Sequence, residues 1–350
     1  MSLLSAPPAL TAPALPCPRG PLSAFVLEAL AGEPRTLPAA PAAIDDPLDG
    51  DDAALALNCC YELHYRGFAG VDEEWEWEPS LVALTRDMER AFAARLDELV
   101  GRVEPADDVA TRLHEIIAST GGRSLSTYMA EQGTVEELRE FFIHRSGYQL
   151  KEADPHSWGL PRLTGKAKAA LVEIQADEYG EGVEKDMHAV LFARSMRGVG
   201  LDDTYGAYLD RLPGITLATT NLVTMFGLHR RYRGRLIGHL AVFEMTSVEP
   251  MGRYSAALRR LGFGPWTRLF YDTHVVADAH HQSVAAHDLA GGMVADEPAM
   301  LPEILYGAQA IMAVEGRLTE HLFRCWEAGR SSLYPAPPGA TTGAVSPPAV

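Results

Sequence analysis

From Leu81 to Ala328 the apolar residues return at spacings of three and four, and no stretch alternates with period two and ends in hairpin turn chemistry. That pattern restricts the body to helices packed on helices, so the expected fold class is all-α. It is carried by Leu81–Val100, Pro105–Ser119, Val135–Leu150, Gly165–Arg197, Ile215–Arg230, Arg235–Val248, Arg253–Leu261, Thr267–Leu289 and Pro302–Ala328. Pro213-Gly214, Gly234, Pro250 and Gly262-Phe-Gly-Pro265 separate the later segments, and Gly180 and Gly182 interrupt the longest one. Thr134, with Glu137 three residues on, has the spacing of a capping box.

The ends read differently. Residues 1–52 are crowded with Pro and Ala, which forbids continuous helix and leaves little to bury. The expectation there is a disordered or draped segment with one short helical stretch at Ser23–Ala31. Residues 53–130 form a helical extension, 131–330 the core, and 331–350 a disordered tail.

Composition excludes several classes. The net charge is −17 with twelve histidines neutral, so the chain repels phosphate backbones and nucleic acid is not an expected partner. No apolar run reaches the roughly 18–20 residues of a membrane span, and the N-terminus lacks a secretory pattern. The expected location is the cytoplasm, away from membranes. Cys17, Cys59, Cys60 and Cys325 have no zinc or disulfide spacing and read as reduced thiols.

Chemistry concentrates in three places. In Tyr271-Asp-Thr-His-Val-Val-Ala-Asp-Ala-His-His, residues His274, Asp278 and His281 stand at i, i+4 and i+7. At about 100° per residue they fall within roughly 60° of one another. Mixed imidazole and carboxylate donors on one stripe suit iron or manganese; the competing reading is a solvated polar face. His280 and His287 point elsewhere. The second place is Glu173-Ile-Gln-Ala-Asp-Glu178-Tyr-Gly-Glu-Gly182, leading to Met187-His188. Glu178 and His188 are about 80° apart on a regular helix, so they meet only if the glycines let it unwind or bulge. On a straight helix Glu181 and Glu184 fit His188 better, and spacing does not choose among the three. The third place is Tyr148-Gln-Leu-Lys-Glu152-Ala-Asp154-Pro155, where Pro155 is expected to end a helix with Glu152 in its last turn. The dipole disfavours a carboxylate there, which invites a metal or an ordinary salt bridge.

Together the three pieces resemble the haem-oxygenase-like di-iron oxidases and oxygenases, the iron-containing redox enzyme family. The resemblance covers about Val135 to Leu289. It rests on Lys151-Glu-Ala-Asp-Pro155, on Glu173-Ile-Gln-Ala-Asp-Glu-Tyr-Gly180, on His188 ten residues after Glu178, and on His-x3-Asp-x2-His at 274–281. It implies a haem-oxygenase-like helical bundle and a six-ligand set: Glu152 from the first core helix, Glu178 and His188 from the second, and His274, Asp278 and His281 from the third. It also implies two Fe(II) ions, with manganese able to replace one or both, and dioxygen as co-substrate. The chemistry implied is oxidation through a peroxo-di-iron(III) intermediate, and outcomes in the family include amine N-oxygenation, oxidative C–C cleavage of amino acids and oxidative decarboxylation of fatty acids.

For this chain the expectation is an oxidoreductase of specialised metabolism. Its substrate would be a small amine, amino-acid-derived or carboxylic-acid molecule, with room for an external electron donor and a homodimer. The alternative is a non-catalytic helical protein that stores metal or serves as a scaffold. Glu244 is expected to orient a ligand histidine or read a substrate amine, or else to pair with His239 or an arginine. Arg230, Arg231, Arg233 and Arg235 form either a solvated loop or a lure for an acidic molecule. Tyr148, Tyr179, Phe192 and Tyr271 are candidate pocket residues. A relative using a cysteine nucleophile is excluded, since residues 131–324 contain no Cys.

Overall fold

The computed structural model describes residues 12–41 and 43–336, all of which lie in helices, turns and loops without a strand. The start of the proline-rich segment and the tail from 337, both expected to be disordered, fall outside the described residues.

In chain order the helices are α1 (Pro21–Leu30), α2 (Asp51–Glu62), α3 (Pro79–Val100), α4 (Val109–Ser119), α5 (Leu125–Glu131), α6 (Val135–Gln149), α7 (Asp154–Ser157), α8 (Gly165–Glu178), α9 (His188–Gly198), α10 (Gly214–Leu228), α11 (Arg233–Arg260), α12 (Pro265–Ser283), α13 (Gly291–Asp296) and α14 (Leu301–Glu327). A π-helical stretch, Val284–Ala290, continues α12. Among the described residues no helix is long and apolar enough to cross a membrane.

Caps set several boundaries. The Thr134 hydroxyl accepts from the Glu137 amide while the Glu137 carboxylate accepts from the Thr134 amide, which fixes the start of α6. Asp108 accepts from Thr111 N at 2.7 Å, so α4 begins at Val109 and not at Pro105 as the periodicity suggests.

Three expectations need correction. Pro250 does not separate two helices: α11 runs through it, losing one backbone hydrogen bond while its packing along α12 and α14 keeps it continuous. The helix before Glu152 ends at Gln149, and Pro155 sits in the first turn of α7, where its missing N–H costs nothing. Glu152 therefore lies in a turn rather than in a last helical turn. Finally, Gly165–Arg197 is two helices, α8 and α9, joined by short 3-10 turns.

The frame of the core is the crossing of α11 and α14. A Cβ at Gly238 would collide with the Ile304 carbonyl, and one at Gly307 with the Arg235 carbonyl, so the two backbones touch because both positions are glycine. The extension packs onto this frame. Asn58 of α2 donates to Asn221 Oδ1 of α10 at 3.1 Å, and Asn221 donates back to the Ala54 carbonyl at 3.0 Å. Leu22 and Val26 of α1 are buried in the same apolar cluster as Leu57, Leu222 and Ile311. A second apolar cluster, with Phe142, Phe192, Phe270 and Tyr271 at its centre, backs the polar residues described next.

Candidate metal centre

Four segments deliver polar side chains into the interior: the turn after α6, the end of α8 with the start of α9, the middle of α11, and one face of α12. His274, Asp278 and His281 are only 4 %, 1 % and 0 % exposed, so the α12 stripe is not a solvated face. Glu178 and His188 are buried as well, whereas Glu181 and Glu184 are exposed. The break between α8 and α9 produces this result. Gly180, Glu181 and Gly182 all have positive φ, and the chain turns back so that His188 faces the end of the helix it left.

Two groups of potential ligands form. Glu152, Glu178, His188 and His274 each offer one donor atom, and these atoms lie within 4.8 Å of one another. Glu178, Glu244 and His281 make a second group by the same measure, so Glu178 belongs to both. His188 Nδ1 is 3.0 Å from Glu178 Oε2, His274 Nε2 is 3.8 Å from Glu152 Oε1, and His281 Nδ1 is 3.3 Å from Glu244 Oε2. Asp278 stands beside the second group: its Oδ1 is 3.6 Å from His281 Nδ1, and its Oδ2 accepts from the Ser247 hydroxyl at 2.5 Å. Five of the six residues expected as ligands thus fall within these groups, with Asp278 alongside. Glu244 pairs with His281 and not with His239, whose ring meets His156 at 3.1 Å.

The second nitrogens of the rings are already assigned. His274 Nδ1–H donates to the Phe270 carbonyl at 2.9 Å, which leaves Nε2 facing the carboxylates. His281 Nε2 bonds to Asp177 Oδ2 at 2.7 Å, which leaves Nδ1 facing Glu244 and Asp278. Asp177 and Ser247 were not singled out in the sequence, although Asp177 adjoins Glu178 and Ser247 lies three residues after Glu244.

These donors fit a cation. Glu152 Oε2, Glu178 Oε2, His188 Nδ1, Asp278 Oδ1 and His281 Nδ1 are all buried and, although they crowd together, are not aligned as hydrogen bonds, and buried polar atoms rarely stay so. Electrostatics agrees. Burial and the neighbouring Glu178 push Glu152 up. Burial also opposes the charge of Glu178, but His188, His274 and His281 hold it well below the usual carboxylate range. Burial disfavours charge on His274 and His281, yet Glu152 carries the former up to about 10, and Asp278, Glu244 and Asp177 carry the latter up to about 11. Burial drives Glu244 up to about 7. The surrounding carboxylates thus favour positive charge at the ring positions. Carboxylates with imidazoles on facing helices are the donor set of iron or manganese in bundles.

The centre opens on a cavity of about 250 Å³ walled by Tyr148, Phe243, Met251, Tyr254 and Tyr271. Of the other candidate pocket residues, Phe192 is core packing, and Tyr179 donates to Asp154 at 2.8 Å. An outer groove of about 1110 Å³ shares Pro250, Tyr254, Met312 and Glu315 with the cavity, so these residues form its neck. At the neck Arg145 donates to both oxygens of Glu315, at 2.8 and 2.7 Å. The arginine run lies elsewhere: Arg233 pairs with Glu297 and Arg235 with Glu303, while Arg230 and Arg231 are exposed.

A family model described as iron-containing redox enzyme matches residues 139–316. A curated relative, nitrosourea synthase of Streptomyces achromogenes subsp. streptozoticus, is 26% identical over 161 residues. The aligned region is 46% of this chain and 34% of the relative, so the chain spans about a third of the relative's length.

Proposed function

The chain belongs to the iron-containing redox enzyme family, and from that premise we propose that it is a non-haem di-iron oxygenase or oxidase with dioxygen as co-substrate. The observation that carries this reading is the pair of ligand groups sharing Glu178, with five buried donor atoms that crowd together without hydrogen-bond alignment. Glu152, Glu178, His188 and His274 would hold one iron. Glu178, Glu244 and His281 would hold the other, with Asp278 beside it. Four carboxylates then balance the charge of two Fe(II) ions. When bound, the irons supply electrons to dioxygen and the oxidising power that the substrate meets.

The protein's own residues do the rest. The Phe270 carbonyl and Asp177 orient His274 and His281. Tyr148, Phe243 and Tyr271 line the cavity and limit the water within it. Arg145 and Glu315 offer both signs of charge at the neck. That suits a small amine, amino-acid-derived or carboxylic-acid substrate whose reactive end reaches the centre. The relative's name, nitrosourea synthase, favours an oxidised nitrogen among the outcomes, beside oxidative C–C cleavage. A place in specialised metabolism follows from the same likeness.

The test is anaerobic titration of metal-free protein with Fe(II), then an oxygen pulse followed by stopped-flow absorption. Two irons per chain and a transient visible band are expected. Iron binding without reaction with oxygen would instead mean storage.

A further inference from the structure

Glu152 does not sit on a helix. It lies in the turn between α6 and α7, beside Ala153, whose φ is +75° in the left-handed region that a residue with a Cβ seldom adopts. Such a turn holds its shape only if its surroundings impose it. On one side α8 does so: the Gln175 amide donates to the Ala153 carbonyl at 2.9 Å. On the other side the turn is held by residues 62–66, at the end of α2 and just beyond it. Lys151 Nζ is 3.0 Å from Glu62 Oε2, with side chains only 4 % and 6 % exposed. The same ammonium lies 3.9 Å from the centre of the Tyr65 ring. Arg66 donates to the Leu150 carbonyl at 3.3 Å. Glu62 is itself held by the Tyr205 hydroxyl, at 2.7 and 2.8 Å from its two oxygens.

We propose that Glu62 and Lys151 are positioning residues for the metal centre, through which the N-terminal extension fixes the turn that aims Glu152 at Glu178, His188 and His274. The inference rests on the di-iron reading above. It goes beyond that reading because Glu62, Tyr65 and Arg66 precede the region matched by the family model. A buried ion pair is poor evidence of stabilisation, since desolvation offsets its attraction, but it does restrict geometry. Here the restricted geometry is that of the residue adjoining a ligand.

The experiment titrates full-length, metal-free protein with Co(II) and reads the ligand-field absorption of each bound ion. Two ions per chain are expected for the parent protein, and Glu152→Ala identifies the band belonging to the first ligand group. Lys151→Met and Glu62→Gln should weaken that ion by tenfold or more and shift its band, leaving the ion at Glu244 and His281 within about twofold, as for residues that orient ligands. Because either change alone strands a buried charge and can prevent folding, the double variant Glu62→Gln/Lys151→Met is included, with circular dichroism as the check on folding. Tyr205→Phe removes only the hydroxyl bonded to Glu62 and should shift the same band less. Unchanged affinity and band in the folded double variant and in Tyr205→Phe would overturn the proposal. Equal weakening of both ions would overturn it too, since that is the mark of general loosening. A parent protein that takes up no Co(II) would sink the di-iron reading itself, a result distinct from either.

Discussion

Glu178 Oε2 lies 3.0 Å from His188 Nδ1 although the helix carrying Glu178 ends before the one carrying His188 begins. Gly180 makes the return possible. Its φ is +61°, and an added Cβ would stand 2.5 Å from the Asp186 carbonyl carbon and 2.6 Å from Met187 N. Gly182 has φ +80° but open space around it. Gly180→Ala should therefore cost roughly 2–4 kcal/mol and displace His188, whereas Gly182→Ala should cost about 1 kcal/mol. Urea unfolding of both variants, read with their iron content, checks the ranking. Equal losses would mean that the backbone contact at Gly180 is unimportant.

Because Glu178 belongs to both ligand groups, its removal should be worse than that of any other single residue. Glu178→Ala is expected to lose both irons. His188→Ala and His274→Ala should lose the iron of the first group, and His281→Ala and Glu244→Ala that of the second. Glu181→Ala and Glu184→Ala, at exposed positions, should leave the stoichiometry at two. Asp278→Ala removes both the contact with His281 and the bond from Ser247, so it should weaken the second iron. Iron content after anaerobic loading and desalting gives the answer; two irons retained by Glu178→Ala would rule out a shared carboxylate.

How much of this was legible in the chain depends on the period of each signal. The α12 stripe is local, and three residues at i, i+4 and i+7 announce a common face wherever the helix is placed. The capping box at Thr134 is equally local. Glu178 was not legible from spacing, because the break at 180–182 overrides the helical wheel, and only the family resemblance selected it. Glu244 is legible as a group that could orient a ligand histidine, but which one, His281 on α12, is set by how two helices cross. Lys151 with Glu62 and Arg145 with Glu315 were invisible, being ion pairs between residues far apart in the chain. Pro250 misled for a related reason: tertiary packing along α11 outweighs the loss of one hydrogen bond.

The neck of the cavity offers a test of substrate selection. Arg145 and Glu315 satisfy each other bidentately; Glu315 lines both groove and cavity, and Arg145 lines the cavity just inside it. Glu315→Gln keeps the shape but leaves the arginine cation only partly compensated, which strengthens its hold on an incoming carboxylate and removes the partner for an ammonium. Affinity for amines and amino acids should fall by about tenfold, and affinity for simple carboxylic acids should rise. Binding measured by calorimetry on iron-loaded protein without oxygen separates this from effects on turnover. Unchanged affinity for both classes would place substrate recognition away from the neck.

Acid sensitivity should come in part from His144. Its ring is buried, with Nδ1 2.7 Å from the Thr216 hydroxyl and Nε2 3.0 Å from the Ser332 hydroxyl. Burial, helped by His321 and Arg145, lowers its pKa to about 3 from an ordinary 6.5. The unfolded chain therefore takes up the proton first as pH falls. The stability that a neutral His144 contributes is complete above about pH 6.5 and is lost progressively down to about pH 3. Between pH 7.5 and 5.0 this one group should account for about 2 kcal/mol, at about 1.4 kcal/mol per unit below 6.5. The centre's histidines act in the opposite sense, since their folded values are raised and their contribution is lost as pH climbs. That contribution is common to parent and variant, so it cancels in a comparison. Metal-free His144→Gln should accordingly be less stable than the parent at pH 7.5 and should lose about 2 kcal/mol less on going to pH 5.0, as read from urea unfolding at both values. Parallel losses in the two proteins would show that His144 takes up its proton as readily in the folded state as in the unfolded chain.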